Sequence, residues 1–118
     1  MDVDESCVFC RIVSGSIPST RIHEDEMCVA FRDIDPKAPV HILVVPRRHV
    51  AEFDVLAQDQ ALAGHLSNVV AKVAREEGLA DSGAGFRVVV NQGSDGSQSV
   101  GHVHYHLLGG RKLSWPPG

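Results

Sequence analysis

Little in this sequence points to a membrane, a nucleic acid or an oxidising compartment. The longest strongly apolar run covers only residues 42–45, against the roughly 20 residues that a spanning helix needs. Positive charge is scarce: 11 Lys and Arg stand against 15 Asp and Glu, the formal net charge is −4, and the one basic cluster is Arg47-Arg48-His49. Binding to a polyanion calls for clustered cations that displace its counterions, so neither nucleic acid nor a membrane surface is an expected partner. The terminus reads Met-Asp-Val-Asp-Glu, without the basic start of a targeting signal. Cysteine is sparse and odd in number, three residues, which speaks for thiols or metal ligands in a reducing compartment and against a disulfide framework. Repeats, low-complexity tracts and linkers are also lacking. The expected setting is the cytoplasm, with the nucleus open as well. At 118 residues, 43% hydrophobic and 22% charged, the chain reads as one domain, residues 1–118, with one core.

The hydrophobic pattern marks out a small set of elements. A short helix is expected over residues 7–13, with Ser6 as N-cap and Gly15 as its stop. Extended segments follow at 20–24, 28–34 and 40–45, the last closed by Pro46, which cannot donate to a ladder. The clearest helix spans about residues 59–77. Leu62, Leu66, Val69, Val70 and Val73 form its apolar stripe, Gln60, Asn68, Lys72 and Arg75 lie off it, and Gly78-Leu79 makes a left-handed C-cap. Two more strands, 86–90 and 101–108, are joined by a loop rich in Gly and Ser. The implied class is α+β: a five-stranded, mostly antiparallel sheet with one long and one short helix.

Three of the seven histidines fall in His102-Val103-His104-Tyr105-His106-Leu107-Leu108. Strand side chains alternate, so the three imidazoles share one face while Val103, Tyr105 and Leu107 point into the core. Imidazoles packed together repel when protonated and demand partners when buried, a costly arrangement for a purely structural purpose. A metal site made of all three is one reading, since imidazole is a common zinc ligand. The preceding loop, Asn91-Gln92-Gly93-Ser94-Asp95-Gly96-Ser97-Gln98-Ser99-Val100-Gly101, favours another. Its small residues let N–H groups converge on an anion, and an oxyanion cradle beside imidazoles suits phosphoryl or nucleotidyl transfer.

With these residues in view, the chain resembles the histidine-triad (HIT) proteins. The segment 102–108 fits their His-φ-His-φ-His-φ-φ signature, φ being apolar. Val88-Val89-Val90-Asn91, Gly93-Ser94-Asp95-Gly96, Gln98-Ser99-Val100, Ala30-Phe31-Arg32-Asp33-Ile34, Ala38-Pro39-Val40-His41 and the ending Gly109-Gly110-Arg111…Trp115-Pro116-Pro117-Gly118 are similar to the HINT branch, the purine nucleoside phosphoramidases. The likeness runs from about Cys7 to the last residue.

That resemblance implies a set of roles. His104 would be the nucleophile toward phosphorus, forming a nucleotidyl-histidine that water hydrolyses. His102 and His106 would orient it and bind phosphate oxygens, with His41 supporting the nucleophile and its proton balance. Asn91 and Ser99 would contact the phosphate region, Ser99 near the departing amine, and the backbone at Ser97 and Gln98 would complete the cradle. Asp33 would hold the ribose hydroxyls, and Phe9, Ile12, Phe31, Ile34 and Leu43 would wall the purine. Trp115 belongs to the end that reaches the site near a dimer partner, and the implied assembly is a homodimer with a continuous sheet.

Cys7-Val8-Phe9-Cys10 departs from the vertebrate-type HINT pattern. Other HIT proteins carry Cys-x-x-Cys here, completed by His49 and the first triad histidine, so Cys7, Cys10, His49 and His102 imply a closed structural zinc site, while none is required for catalysis. Ser97 and Gly101 are smaller departures that bear on substrate preference. The rival readings are a dinucleoside polyphosphate hydrolase of the same superfamily, against which the Trp-Pro-Pro-Gly ending argues, and a nucleotide- or zinc-binding adaptor.

Overall fold

The computed structural model describes residues 3–118; Met1 and Asp2, which open the acidic terminus, lie outside them. In chain order the elements are α1 (Val8–Ser14), β1 (Arg21–Glu24), β2 (Cys28–Arg32), β3 (Val40–Pro46), α2 (Phe53–Leu56), α3 (Gln60–Glu76), β4 (Phe86–Val90) and β5 (Tyr105–Gly109). The strands form one sheet in the order β1-β2-β3-β5-β4, and every neighbouring pair is antiparallel. The α+β class is as expected, with one addition: the four-residue α2, which carries no periodic apolar stripe of its own.

Helix α3 closely follows its sequence pattern. Asp59 caps its start by accepting the Leu62 N–H, and the stripe Leu62, Leu66, Val69, Val70 and Val73 is buried. At the other end Gly78 has φ +78°, its N–H reaches Arg75 O, and the Leu79 N–H reaches Ala74 O, the two bonds of a Schellman cap. The stripe packs over Cys28, Ala30, Ile42, Val44, Tyr105 and Leu107. The alternate residues of the same strands, Val29, Phe31, Leu43 and Val45, face the other way and meet Cys7, Phe9, Cys10 and Ile12 at α1.

Three boundaries depart from expectation. The N-cap of α1 is Cys7, whose sulfur accepts the Cys10 N–H. Ser6 instead turns its hydroxyl and N–H to the Asp4 carboxylate, at 2.6 and 2.9 Å. Strand β2 ends at Arg32 because Asp33 starts a turn, its Oδ1 accepting the Asp35 N–H at 2.9 Å. Strand β5 begins only at Tyr105, with its last rung to β3 at Val44↔Tyr105. Upstream of it, Pro46 has no N–H to offer, and Val103 donates to Val50 O instead, at 2.7 Å. His102, in a bend, and His104 therefore lie in a lead-in and not in the ladder, although Val103, Tyr105 and Leu107 still share the α3-side core.

Candidate active site

The imidazoles of His41, His102, His104 and His106 gather on the α1 face. His104 is 3% exposed and lies under the Phe9 ring, centroids 4.9 Å apart, with the His106 ring at the same distance on its other flank. Its Nδ1 is 2.8 Å from the His102 carbonyl oxygen. A carbonyl only accepts, so Nδ1 carries the proton and Nε2 keeps the lone pair. Burial lowers the His104 pKa, which holds the ring neutral at physiological pH, and no described residue pairs with Nε2.

A second chain of bonds sets the neighbouring rings. The Lys37 backbone N–H donates to His41 Nδ1 at 3.0 Å, leaving the proton on Nε2. That Nε2 lies 2.9 Å from His106 Nδ1 and 3.4 Å from Asp33 Oδ2. His106 Nδ1 thus accepts, and its proton resides on Nε2, a buried atom with no partner among the described residues. A buried N–H without an acceptor costs about 1–3 kcal/mol, and such an orphan marks a place where a ligand oxygen can sit. Burial first, then the positive forms of His104 and His41, push the His106 pKa down to about 4. Burial also lowers His41, against the opposing pull of Asp33. His41 therefore meets His106 and not His104.

His102 requires a correction. Its Nε2 donates to Pro46 O at 2.8 Å, and its Nδ1 faces the thiols of Cys7 at 3.4 Å and Cys10 at 3.6 Å. Neither ring nitrogen is left for a phosphate oxygen, and it is the backbone carbonyl of His102 that orients His104. Cys10 Sγ is also 3.4 Å from His49 Nδ1, and the four donor atoms lie within 4.8 Å of one another. Tetrahedral zinc with its usual S and N bond lengths sets a sulfur–nitrogen edge of about 3.6 Å, so the observed spacings fit. The Pro46 carbonyl would serve as the outer partner that aims the imidazole of His102 at a metal. The cluster can hold a metal ion.

The loop before β5 is braced from within. Gly96 passes so close to Gln92 that a Cβ would meet its carbonyl oxygen at 2.3 Å, and Ser97 has φ +59°. The N–H groups of Ser97 and Gln98 donate to Ser94 O and Gly93 O, so they are not free to cradle an anion in this conformation. The Gln98 side chain is likewise committed, to Gly93 N, Ala51 O and Val100 O. Asn91 and Ser99 make no side-chain hydrogen bond among the described residues. Val100 packs on the Phe9 and Leu43 cluster, which brings the end of the loop to the histidine face.

Of the apolar candidates, Phe9, Ile12, Phe31 and Leu43 form one buried cluster there. Ile34 does not join it: the turn after β2 throws its side chain outward, 97% exposed. Trp115 is also exposed, and within the chain it stands near Arg87, whose guanidinium carbon is 6.0 Å from the ring centroid. Two ties that set the site, Lys37 N–H and Pro46 O, escaped the sequence because backbone atoms carry no residue signature.

A neutral buried imidazole with an unpaired Nε2 lone pair lies next to an orphan N–H donor, an arrangement that can offer a nucleophile to an electrophile and a hydrogen bond to an oxyanion. Residues 14–113 match the HIT domain family, and the chain belongs to that family. It is similar to a 14 kDa zinc-binding protein of Zea mays, 45% identical over 118 residues, covering 98% of this chain and 90% of that protein. A HIT family hydrolase from Legionella pneumophila superposes with TM-score 0.89 at 45% identity, over 95% of this chain and 99% of that one. A histidine triad nucleotide-binding protein from Candida albicans does so with TM-score 0.81 at 31% identity, over 95% and 84%. The fold is thus that of HIT hydrolases. No helix among the described residues is long and apolar enough to cross a membrane.

Proposed function

We propose that the chain is a purine nucleoside phosphoramidase of the HINT branch, cleaving adenosine 5′-phosphoramidate-type P–N bonds to AMP and an amine. The observation that carries this reading is the 2.8 Å bond from His104 Nδ1 to the His102 carbonyl, which aims the lone pair at Nε2 outward. That lone pair attacks phosphorus while the bridging nitrogen takes a proton from solvent; the P–N bond breaks and its electron pair leaves with the neutral amine, Ser99 standing near it. Water then attacks the nucleotidyl-histidine, loses a proton, and frees AMP and the neutral ring. The orphan Nε2–H of His106 donates to a phosphate oxygen and gains strength as charge builds there. Asp33 holds the ribose, with Asn91 beside the phosphate.

Zinc on Cys7, Cys10, His49 and His102 is the companion reading, supported by the donor spacing and by the zinc-binding relative. It would pin α1 to the lead-in of β5 and take no part in the chemistry. A homodimer joined sheet to sheet completes the proposal.

The test is incubation of the purified protein with adenosine 5′-phosphoramidate. AMP release and an acid-labile, base-stable label on the protein are expected. AMP binding without any turnover would overturn the enzyme reading in favour of a binding protein. For zinc, elemental analysis should give about one atom per chain, lost in Cys7→Ser together with thermal stability.

A further inference from the structure

On the opposite face of the sheet from the four histidines lies a second set of donor atoms. Asp25 occupies the turn between β1 and β2, and its Oδ1 is pinned by the N–H groups of Met27 at 2.7 Å and Cys28 at 2.9 Å. Its Oδ2 is met by His23 Nε2 from β1 and by His65 Nε2 from α3, each at 2.7 Å. The Cys28 sulfur is 3.6 Å from the same oxygen. The His23 nitrogen, the Asp25 oxygen and the Cys28 sulfur all lie within 4.8 Å of one another; His65 is outside that set and touches it through Asp25, so it must move in to become a fourth ligand. One imidazole would suffice to stitch this turn to α3. Two imidazoles, a carboxylate and a thiol are instead the donor types of a borderline divalent ion.

Access allows it, and the ion's charge has one cost to offset: burial, then the Asp25 carboxylate, push the Cys28 thiol up to about 12. The side chains of His23, Asp25 and His65 are 14, 26 and 32% exposed, while Cys28 is fully buried and floors the cluster. Burial alone would raise the Asp25 pKa, yet the hydrogen bonds from His23, Met27, His65 and Cys28 hold its carboxyl well below the usual range. The nearby cations already have partners. Lys72, 3.4 Å from His23 Nδ1, pairs with Glu76 at 3.1 Å, and Arg47 lies 3.9 Å from Glu24.

We propose that His23, Asp25 and Cys28, joined by His65 from α3, form a second site for a zinc-class divalent ion. On binding, each imidazole moves its proton from Nε2 to Nδ1 and gives Nε2 to the metal. Lys72 swings from His23 toward Glu76, and the Cys28 thiol releases its proton to solvent as its sulfur coordinates. The ion would clamp the β1–β2 edge onto α3. This site stands apart from the Cys7–Cys10 cluster and does not rest on the proposed reaction.

The test is equilibrium dialysis of the metal-stripped, full-length protein against Co²⁺. His23→Ala should hold one cobalt fewer per chain than wild type, whereas His49→Gln should leave this second ion in place. Cys28→Ala removes the thiol contact but keeps the His23, His65 and backbone hydrogen bonds of Asp25, and it should weaken the second ion by at least about tenfold, with loss of one thiolate–cobalt absorption component and of one proton released per ion. Circular dichroism of the stripped variants checks their folding. If both His23→Ala and Cys28→Ala fold and bind cobalt with wild-type stoichiometry and affinity, the proposal is overturned and the cluster is a hydrogen-bonded stitch.

Discussion

The two faces of the sheet use the same strands for opposite ends. Toward α3 the strands present Ile42, Val44 and Leu107, fully buried against Leu66 and Val73. Toward α1 the alternate positions present Leu43 and Val45, but also His41 and His106, with His104 keeping the same parity just before β5. A period of two in β3 and β5 is thus enough to separate stability from chemistry. A face that buries imidazoles loses their hydration and keeps only the partners the fold supplies. That is tolerable because the other face is apolar, each large side chain there contributing about 1.5–3 kcal/mol on burial.

The separation can be broken most sharply at His104. Replacement by Ala removes the only route to the covalent intermediate, and turnover of adenosine 5′-phosphoramidate should fall by more than about 10⁴-fold. AMP affinity, spread over many contacts, should be largely kept. If single-turnover kinetics retain more than a trace of the wild-type rate, the nucleophile is elsewhere and the α1 face loses its chemical distinction.

Leu66→Ala is the converse. It empties a fully buried position under the sheet and should cost about 2–5 kcal/mol in urea unfolding, with kcat of the folded protein unchanged. A cost below that of His104→Ala would mean that stability does not reside on the α3 face.

How far this division was legible beforehand differs between the faces. Helix α3 and its C-cap could be read almost to the residue, because the stripe and Gly78-Leu79 are local signals. Strand β4 was likewise bounded by its own residues. The α1 face was legible only as a list of residue types. That His102 leaves the ladder follows from Pro46 and from the Val103–Val50 bond, both distant in sequence. Its spent ring nitrogens depend on Cys7, Cys10 and a backbone carbonyl. His65 gave no signal at all: a half-buried histidine within an amphipathic helix is unremarkable until the turn carrying Asp25 is folded against it.

Asp33 sharpens the comparison on a smaller scale, since it lies where the apolar strand gives way to the site. One carboxylate oxygen accepts the Asp35 N–H and the other stands 3.4 Å from His41 Nε2, so a turn role is already visible and a ribose role is proposed. Charge-assisted hydrogen bonds to the sugar should make wild type prefer the ribo substrate over its 2′-deoxy analogue by about 10- to 100-fold in kcat/KM. Asp33→Ala should nearly abolish that preference while keeping its nucleophile. An unchanged ribo-to-deoxy ratio would confine Asp33 to the turn.

The mildest effect is on acid stability, and it tests whether the α1 face holds its histidines neutral. In the folded chain the His106 pKa is pushed down to about 4, chiefly by burial, and that of His41 is lowered for the same reason. The unfolded chain titrates near the ordinary value of about 6.5. Above that pH neither state takes up the proton and the full stability is present. As pH falls from there toward 4 the unfolded state binds protons that the folded state refuses, so stability declines. The ceiling is about tenfold in the unfolding equilibrium per proton and pH unit, and the partly exposed His106 should reach less because solvent screens it. Urea unfolding at pH 7, 6 and 5 should show wild type weakening toward acid and His106→Gln weakening less. Leu66→Ala should be offset from wild type by about the same amount at each pH, because it leaves His41, His104 and His106 on the other face untouched. Identical acid slopes for wild type and His106→Gln would mean that His106 is not held neutral by burial, and the contrast between the two faces would then rest on His41 and His104.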